Sequence, residues 1–295
     1  MRLGWAGSRR AARELIASDR VRVNGRRWRK GEPIAAGDRV EVAPAAETPA
    51  IAPEPDREIV SLYEDDAVIV VAKPAPMACY PLRSGAVGTV MNAVAARFPE
   101  SVTAGPKPGE GGLIHRLDNG TSGVLMIARS TDGYAAMRAA LKSGAIARRY
   151  LALAAGRIER TTDITAPIAH HAKNPRRMVV VDDDGDGRSR AAAHRSAARP
   201  ARSVVTPIHR LNGFTLVEVA PSTGVRHQIR VHLASLGHPI AGDQLYGGPE
   251  LPQLAPGRFW LHLAELEFVS PAIGVRVHVA APLPADLEAA LAAVE

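Results

Sequence analysis

The sequence predicts an α+β protein in two parts: a large domain with a mixed, mostly antiparallel central sheet and flanking helices, and a small α+β unit at the N-terminus. Three observations predict it. Short apolar, strand-like runs outnumber helix-like ones, and several come in pairs joined by tight turns. The basic residues crowd into the first 43 positions. A period-free Ala/Pro run, APAAETPAIAPEP at 43–55, then separates that segment from the rest. The expected boundaries are therefore 1–43 for the small unit, 44–56 for a linker and 57–295 for the large domain.

The elements follow in order. SRRAARELIAS, 8–18, reads as a short helix with Ser8 able to cap it and Ala12, Leu15 and Ile16 on one face. Val21 and Val23 alternate before an Asn24-Gly25 hairpin turn, and Val40 and Val42 mark a further strand. EIVSLYE and AVIVVAK, joined at Asp65-Asp66, read as two strands. GTVMNAVAARF, 88–98, reads as an amphipathic helix and VLMIARS, 124–130, as a buried strand. TDGYAAMRAALKSG is a helix with Ser130 as cap and Gly144 as stop. A strand is expected over 146–155 and a polar, mobile surface loop over 182–203. Further strands fall at 204–210 and 214–220. A helix runs from Arg226 to about Leu236, two more strands lie near 258–269 and 274–280, and a last helix starts from Pro284.

Composition narrows the function classes. Hydrophobic residues make up 46% of the 295-residue chain, which excludes a disordered protein, and the 4% aromatic share leaves a core of aliphatic side chains. Cys79 is the single cysteine, so an internal disulfide and cysteine-based metal clusters are excluded. No stretch approaches the ~20 apolar residues of a membrane span, and no apolar signal region follows the N-terminal arginines. The chain thus reads as cytoplasmic, membrane-free and monomeric. Residues 1–43 carry eleven basic and five acidic residues, which accounts for six of the formal net charge of +7. A compact basic module beside a near-neutral body suggests a polyanion-binding appendage, although a solvated charged surface would give the same count.

The most specific stretch is Gly112-Leu113-Ile114-His115-Arg116-Leu117-Asp118-Asn119-Gly120-Thr121-Ser122-Gly123. An apolar approach leads to Arg-Leu-Asp, then a Gly/Thr/Ser turn, then a buried strand. A carboxylate in that place sits at the mouth of a core, where burial and neighbours tune it. By itself, an Asp ahead of a strand is as readily a turn or cap residue.

His115-Arg116-Leu117-Asp118 followed by Thr121-Ser122-Gly123 resembles the signature of the pseudouridine synthases that act on large ribosomal RNA and transfer RNA. Lys73-Pro74, Arg149-Tyr150-Leu151-Ala152, Thr223-Gly224 with His227-Gln228-Ile229-Arg230-Val231-His232, Gly237 to Asp243, Tyr246-Gly247, Leu261-His262 and Pro282 resemble further motifs of that family in the same order. The likeness covers about residues 57–290. Ser8-Arg9-Arg10, Val21 to Gly25 and Gly37-Asp38 separately resemble an S4-type RNA-binding domain whose usual first helix is missing or shortened. Two features depart from the pattern: Val225 stands where the family has Arg, with Arg226 after it, and the 182–203 loop is long and polar.

The resemblance implies a pseudouridine synthase fold and a uridine-to-pseudouridine isomerisation. That reaction transfers no electrons or groups between molecules, so no cofactor and no metal is expected. It implies Asp118 as the catalytic carboxylate, Arg230 as its cationic partner and Tyr150 as the residue that stacks on the base and can assist proton removal. Attack on the sugar, attack on the base and proton removal from the sugar all remain open to Asp118. Arg116 would fill the space left by the extruded nucleotide. His115, Leu117, Thr121, Arg226 and His227 would line the substrate site, and Ile229 would form apolar floor beside the uracil. Arg9, Arg10, Arg13, Arg22, Arg26 and Arg27 would grip RNA phosphates. His115, His227 and His232 lack a metal-ligand pattern, and His170-His171 reads as exposed loop. The expected partner is structured RNA, ribosomal first and transfer RNA as the alternative. A non-catalytic RNA-binding ribosome-assembly factor is the alternative from another class. A general hydrolase is disfavoured by the lack of a second catalytic carboxylate or a Ser–His motif.

Overall fold

In the computed structural model the described residues are 12–13, 15–16, 20–29, 31–43, 51–83, 85–107, 109–181 and 197–295. The chain forms two compact units, Met1–Pro49 and Ala50–Glu295.

In the small unit, Ala12, Arg13, Leu15 and Ile16 are helical, while the Ser8 cap and the start of that helix lie outside the described residues. β1 (Val21–Val23), β2 (Arg26–Arg27) and β3 (Val40–Val42) form an antiparallel sheet in the order β2-β1-β3. The β1–β2 turn has Asn24 at φ 51° and Gly25 at φ 76°, the left-handed pair that an Asn-Gly hairpin turn requires. Asn24 also donates to the Asp38 carboxylate at 2.7 Å and accepts from the Arg39 amide, tying that turn to the approach to β3.

The large unit begins earlier than its sequence suggested. Ile51 is buried in the main core, and the Glu54 amide donates to the Asn92 carbonyl. Residues 51–56 therefore belong to this unit, which corrects the end of the 44–56 linker. Its strands are β4 (Val60–Glu64), β5 (Val68–Lys73), β6 (Ser122–Ala128), β7 (Ala147–Ala155), β8 (Thr162–Ile164), β9 (Ile168–His170), β10 (Met178–Val180), β11 (Ser203–Leu211), β12 (Phe214–Pro221), β13 (Leu261–Val269) and β14 (Arg276–Ala280). Its helices are α1 (Val90–Arg97), α2 (Thr131–Ser143), α3 (Gln228–Ser235) and α4 (Ala285–Ala292). The main sheet runs β4-β5-β6-β13-β7-β12-β11-β8, with β14 on the free stretch of β13. Among the described strands of this sheet only β6 with β13 is parallel, so the sheet is mixed and mostly antiparallel, as expected.

Several elements differ in kind from their sequence reading. α1 buries Val90 to Ala95 without a break, so it is a core helix rather than an amphipathic one. A Thr89–Asn92 capping box starts it, and the Asn92 amide donates to the Ala52 carbonyl at 2.7 Å, satisfying a polar group that its apolar surroundings would otherwise penalise. β9 and β10 form a separate antiparallel hairpin, which makes His170 a half-buried strand residue and not exposed loop. Residues 182–196 of the expected loop lie outside the described residues, but Ala201 is buried and Ser203 already begins β11. α2 has the cap and stop its sequence demands: the Ser130 hydroxyl accepts from the Gly133 amide, and Gly144 takes φ 80°. The core is largely aliphatic, with Trp260 fully buried and its indole donating to the Leu287 carbonyl of α4 at 2.8 Å.

Candidate active site

Asp118 is placed by the sheet. Residues 112–114 run antiparallel to β6, with Ile114 donating to the Met126 carbonyl and Ala128 to that of Gly112. The chain then reverses through a turn closed by the Thr121 amide on the Asp118 carbonyl at 3.0 Å, and enters β6. The carboxylate stands at the end of a fully buried strand while its own side chain keeps 26% exposure.

Two buried cations hold that turn from behind. Lys73, at the end of β5, donates to the carbonyls of Pro74, Met77 and Asn119 at 2.7–3.2 Å. Burial pushes its pKa down to about 8, with the Arg258 charge adding to the drop and the Asp118 charge opposing it. Arg258 donates to the Gly120 carbonyl at 2.6 Å and to the Ser122 hydroxyl at 2.9 Å, and its Nε reaches Asp286 of α4 at 2.7 Å. Gly120 leaves no room for a side chain: a Cβ there would strike the Gly257 carbonyl oxygen and the Phe259 ring. Ser122 also meets His262 Nδ1 at 2.9 Å, but His262 Nε2 faces the Ala281 carbonyl, so this Ser–His contact is structural.

The partner of Asp118 arrives from α3. Arg230 Nη1 donates to Asp118 Oδ2 at 2.7 Å, across 112 residues of sequence. Its Nε and Nη2 grip Asp243 at 2.6 and 2.8 Å, a bidentate pair with Asp243 1% exposed. The guanidinium lies 4.3 Å from the Phe259 ring centroid and 5.1 Å from that of Tyr246. Burial works against its charge, but Asp243 and Asp118 outweigh it and raise its pKa. A cation that is never deprotonated and cannot turn thus fixes one oxygen of Asp118 and leaves the other free.

Near that second oxygen stands His227, at the start of α3 with φ 56°, its Nε2 3.8 Å from Asp118 Oδ1. Arg226 donates to Nε2 at 3.3 Å, so the ring proton sits on Nδ1, 2.8 Å from the Tyr246 hydroxyl. Burial lowers the His227 pKa to about 4, against the pull of Asp118, so the ring is neutral. Tyr150, on β7 opposite Val219 and Leu263, is 8% exposed. Burial pushes its phenol up to about 12, Arg148 opposing and Asp118 adding to the rise. It is a neutral hydroxyl at physiological pH, able to pack and to donate.

The remaining expected residues divide. Arg116 is 55% exposed at the rim, donating to the Tyr80 hydroxyl at 2.7 Å. Leu117 and Ile229 are buried apolar groups beside the turn and the start of α3. Thr121 is buried and closes the turn through its amide. His115 is corrected: its Nε2 accepts from the Met126 amide at 3.2 Å, and burial lowers its pKa to about 3, so it props β6 from behind rather than facing substrate. His232 spends both ring nitrogens, on Ser203 and on the Ala166 carbonyl. Val225, in place of an expected Arg, packs into the small core of Ile168, Met178 and Tyr246, and its amide caps onto Gln228. Asp243, Tyr246, Phe259, Lys73 and Arg258 were not assigned tasks from sequence.

Residues 67–235 match the family model for RNA pseudouridylate synthase, more than half of the chain. The chain belongs to the RNA pseudouridylate synthase family. Residues 2–40 of this synthase also match the S4 domain. It is 34% identical to a ribosomal large subunit pseudouridine synthase D of Xanthomonas campestris pv. campestris, over 97% of this chain and 84% of the relative. It is 35% identical to an uncharacterized RNA pseudouridine synthase of Chloroflexus aurantiacus, over 96% of this chain and 84% of that one. The solved structure of human RNA pseudouridylate synthase domain containing 1 superposes with a TM-score of 0.60 at 25% identity, covering 80% of this chain and 90% of the human one. The synthase is therefore an isomerase of uridine in RNA, and its α+β fold is the family's.

Proposed function

We propose that this synthase converts one or more uridines of large-subunit ribosomal RNA to pseudouridine, with Asp118 as the catalytic carboxylate. The observation that carries the reading is the 2.7 Å pair between Asp118 and the otherwise buried Arg230. The reaction breaks the bond from ribose C1′ to uracil N1 and forms one from C1′ to C5; C5 loses a proton and N1 gains one. Each of the three routes open to Asp118 starts from an ionised carboxylate, and the rigid cation behind Asp118 suits that demand. Tyr150, a protonated phenol in the free enzyme, packs on the uracil. Arg116 stands at the rim where the extruded nucleotide leaves its stack. The arginines of the small unit supply phosphate contacts; Arg13, Arg22, Arg26 and Arg27 are exposed there, while Arg9 and Arg10 lie outside the described residues.

The preference for large-subunit ribosomal RNA rests on the names of the relatives and on the S4 match. Mapping pseudouridine across cellular RNA with and without the gene tests it. The expected result is loss of the modification at uridines of large-subunit ribosomal RNA alone. Loss confined to transfer RNA would overturn the substrate, and an unchanged map would overturn the isomerisation reading.

A further inference from the structure

The segment before α1 runs beside the Asp118 turn rung by rung. The Met77 amide donates to the Asn119 carbonyl at 3.0 Å. Two residues on, the Leu117 amide donates to Cys79 Sγ at 3.4 Å, and that thiol donates back to the Leu117 carbonyl at 3.3 Å. The other edge is fastened to the helix: the amides of Val90 and Met91, in the first turn of α1, donate to the carbonyls of Ala78 and Cys79 at 3.0 Å each. This explains the single cysteine as a buried backbone staple. The next rung out is Tyr80 opposite Arg116, and there the contact passes from backbone to side chains.

Arg116 Nη1 meets the Tyr80 hydroxyl at 2.7 Å, and the guanidinium carbon lies 5.6 Å from the ring centroid. The Glu110 carboxylate is farther, at 3.7 Å from the same nitrogen. One donor of the planar fork is thus engaged, and no described residue takes its Nε or Nη2. Long arginine side chains on a surface otherwise lose rotamer freedom when they bind. The exposed Leu82 and Arg83 follow directly, so this rim is open to a large ligand.

We propose that Tyr80 is a positioning residue for base extrusion: it holds the side chain of Arg116, two residues before Asp118, in one place before and after RNA binds, so that the free edge of the guanidinium enters the gap left by the target uridine. The inference rests on the reading of Arg116 given above. Because the side chain is ordered in advance, RNA binding need not order it, and extrusion from a stacked helix is where that advantage falls. A uridine that is already unstacked gains nothing from it.

The experiment uses full-length protein and an RNA stem–loop carrying the mapped uridine, with 2-aminopurine next to it to report unstacking. A single-stranded oligomer of the same local sequence is the second substrate. Tyr80→Phe, which keeps the ring and its packing, is expected to raise KM on the stem–loop roughly three- to tenfold, with a matching loss of 2-aminopurine signal. Its kcat, and all constants on the single strand, should stay at the wild-type level. Tyr80→Phe in an Arg116→Ala background should add nothing further. Equal effects on both substrates, or an additive double variant, would overturn the proposal. If Arg116→Ala is impaired and Tyr80→Phe is not, Tyr80 has no positioning role although the reading of Arg116 stands. If wild-type protein forms no pseudouridine in either RNA, the underlying assignment falls, and this one with it.

Discussion

Arg230 has three hydrogen-bonding commitments and two aromatic neighbours, and its arrangement makes Asp243 as necessary as the residue it was expected to serve. Asp243→Asn removes the buried counter-charge. The expected result is a loss of about 3–5 kcal/mol in denaturant unfolding and a fall in kcat of about a hundredfold, as the released guanidinium lets Asp118 drift. An unchanged kcat would show that Arg230 is held by its rings alone. Buried histidines contribute to acid sensitivity above the carboxylate range. Burial lowers the pKa of His115 to about 3 and that of His227 to about 4, from 6.5, so between those values the unfolded chain binds more protons than the folded one. Stability must therefore fall as pH drops below 6.5. The expected slope from about pH 6.5 to 5, above most carboxylate titrations, is up to roughly 1.4 kcal/mol per pH unit for each of the two. Unfolding melts across that range check it, and His115→Gln should make the slope shallower by one proton.

At the scale of elements, the junction of β6 with β13 carries the site, because it is the parallel seam from which the Asp118 turn leaves. Gly123 sits on it at φ 117°, and a Cβ there would meet the Leu263 backbone. Gly123→Ala is expected to prevent native folding, read as loss of the cooperative melt, since both the backbone conformation and the space forbid the methyl. By contrast, Ser130→Ala removes only the cap of α2 and should cost about 1 kcal/mol with the activity intact. Elements announced by their own residues were legible in the sequence: the Asn24-Gly25 turn, the Ser130 cap, the Gly144 stop and the unbroken apolar run of β6. β8, β9 and β10 were not, since each has three residues, too few to show an alternation, and β8 takes its pairing from the distant β11. α1 was misjudged in character because Asn92 and Thr89 look like a polar face, while tertiary bonds to Ala52 and within the capping box let both be buried. Within the candidate site, the pairing of Asp118 with Arg230 was readable through motif likeness. Nothing local in Asp243 or Arg258 told that one would clamp Arg230 and the other the Asp118 turn.

Across the whole molecule, charge and chemistry occupy different units: the excess of basic residues lies in 1–43 and the ionised pair in the large unit. Arg22 and Arg26 flank the exposed Asn24-Gly25 hairpin of the small unit. Replacing both with Ala should weaken RNA binding at low salt and reduce the slope of log K against log salt by about 0.7–0.9 for each phosphate no longer neutralised, with kcat on saturating RNA unchanged. An unaltered salt slope would remove the hairpin from the interface. The proposed function makes Asp118 the carboxylate that acts on a uridine in RNA, and single-turnover conversion by Asp118→Asn, measured beside its RNA affinity, tests that most directly. The expected outcome is pseudouridine formation below detection with affinity within about twofold of wild type; conversion at a rate near wild type would contradict it.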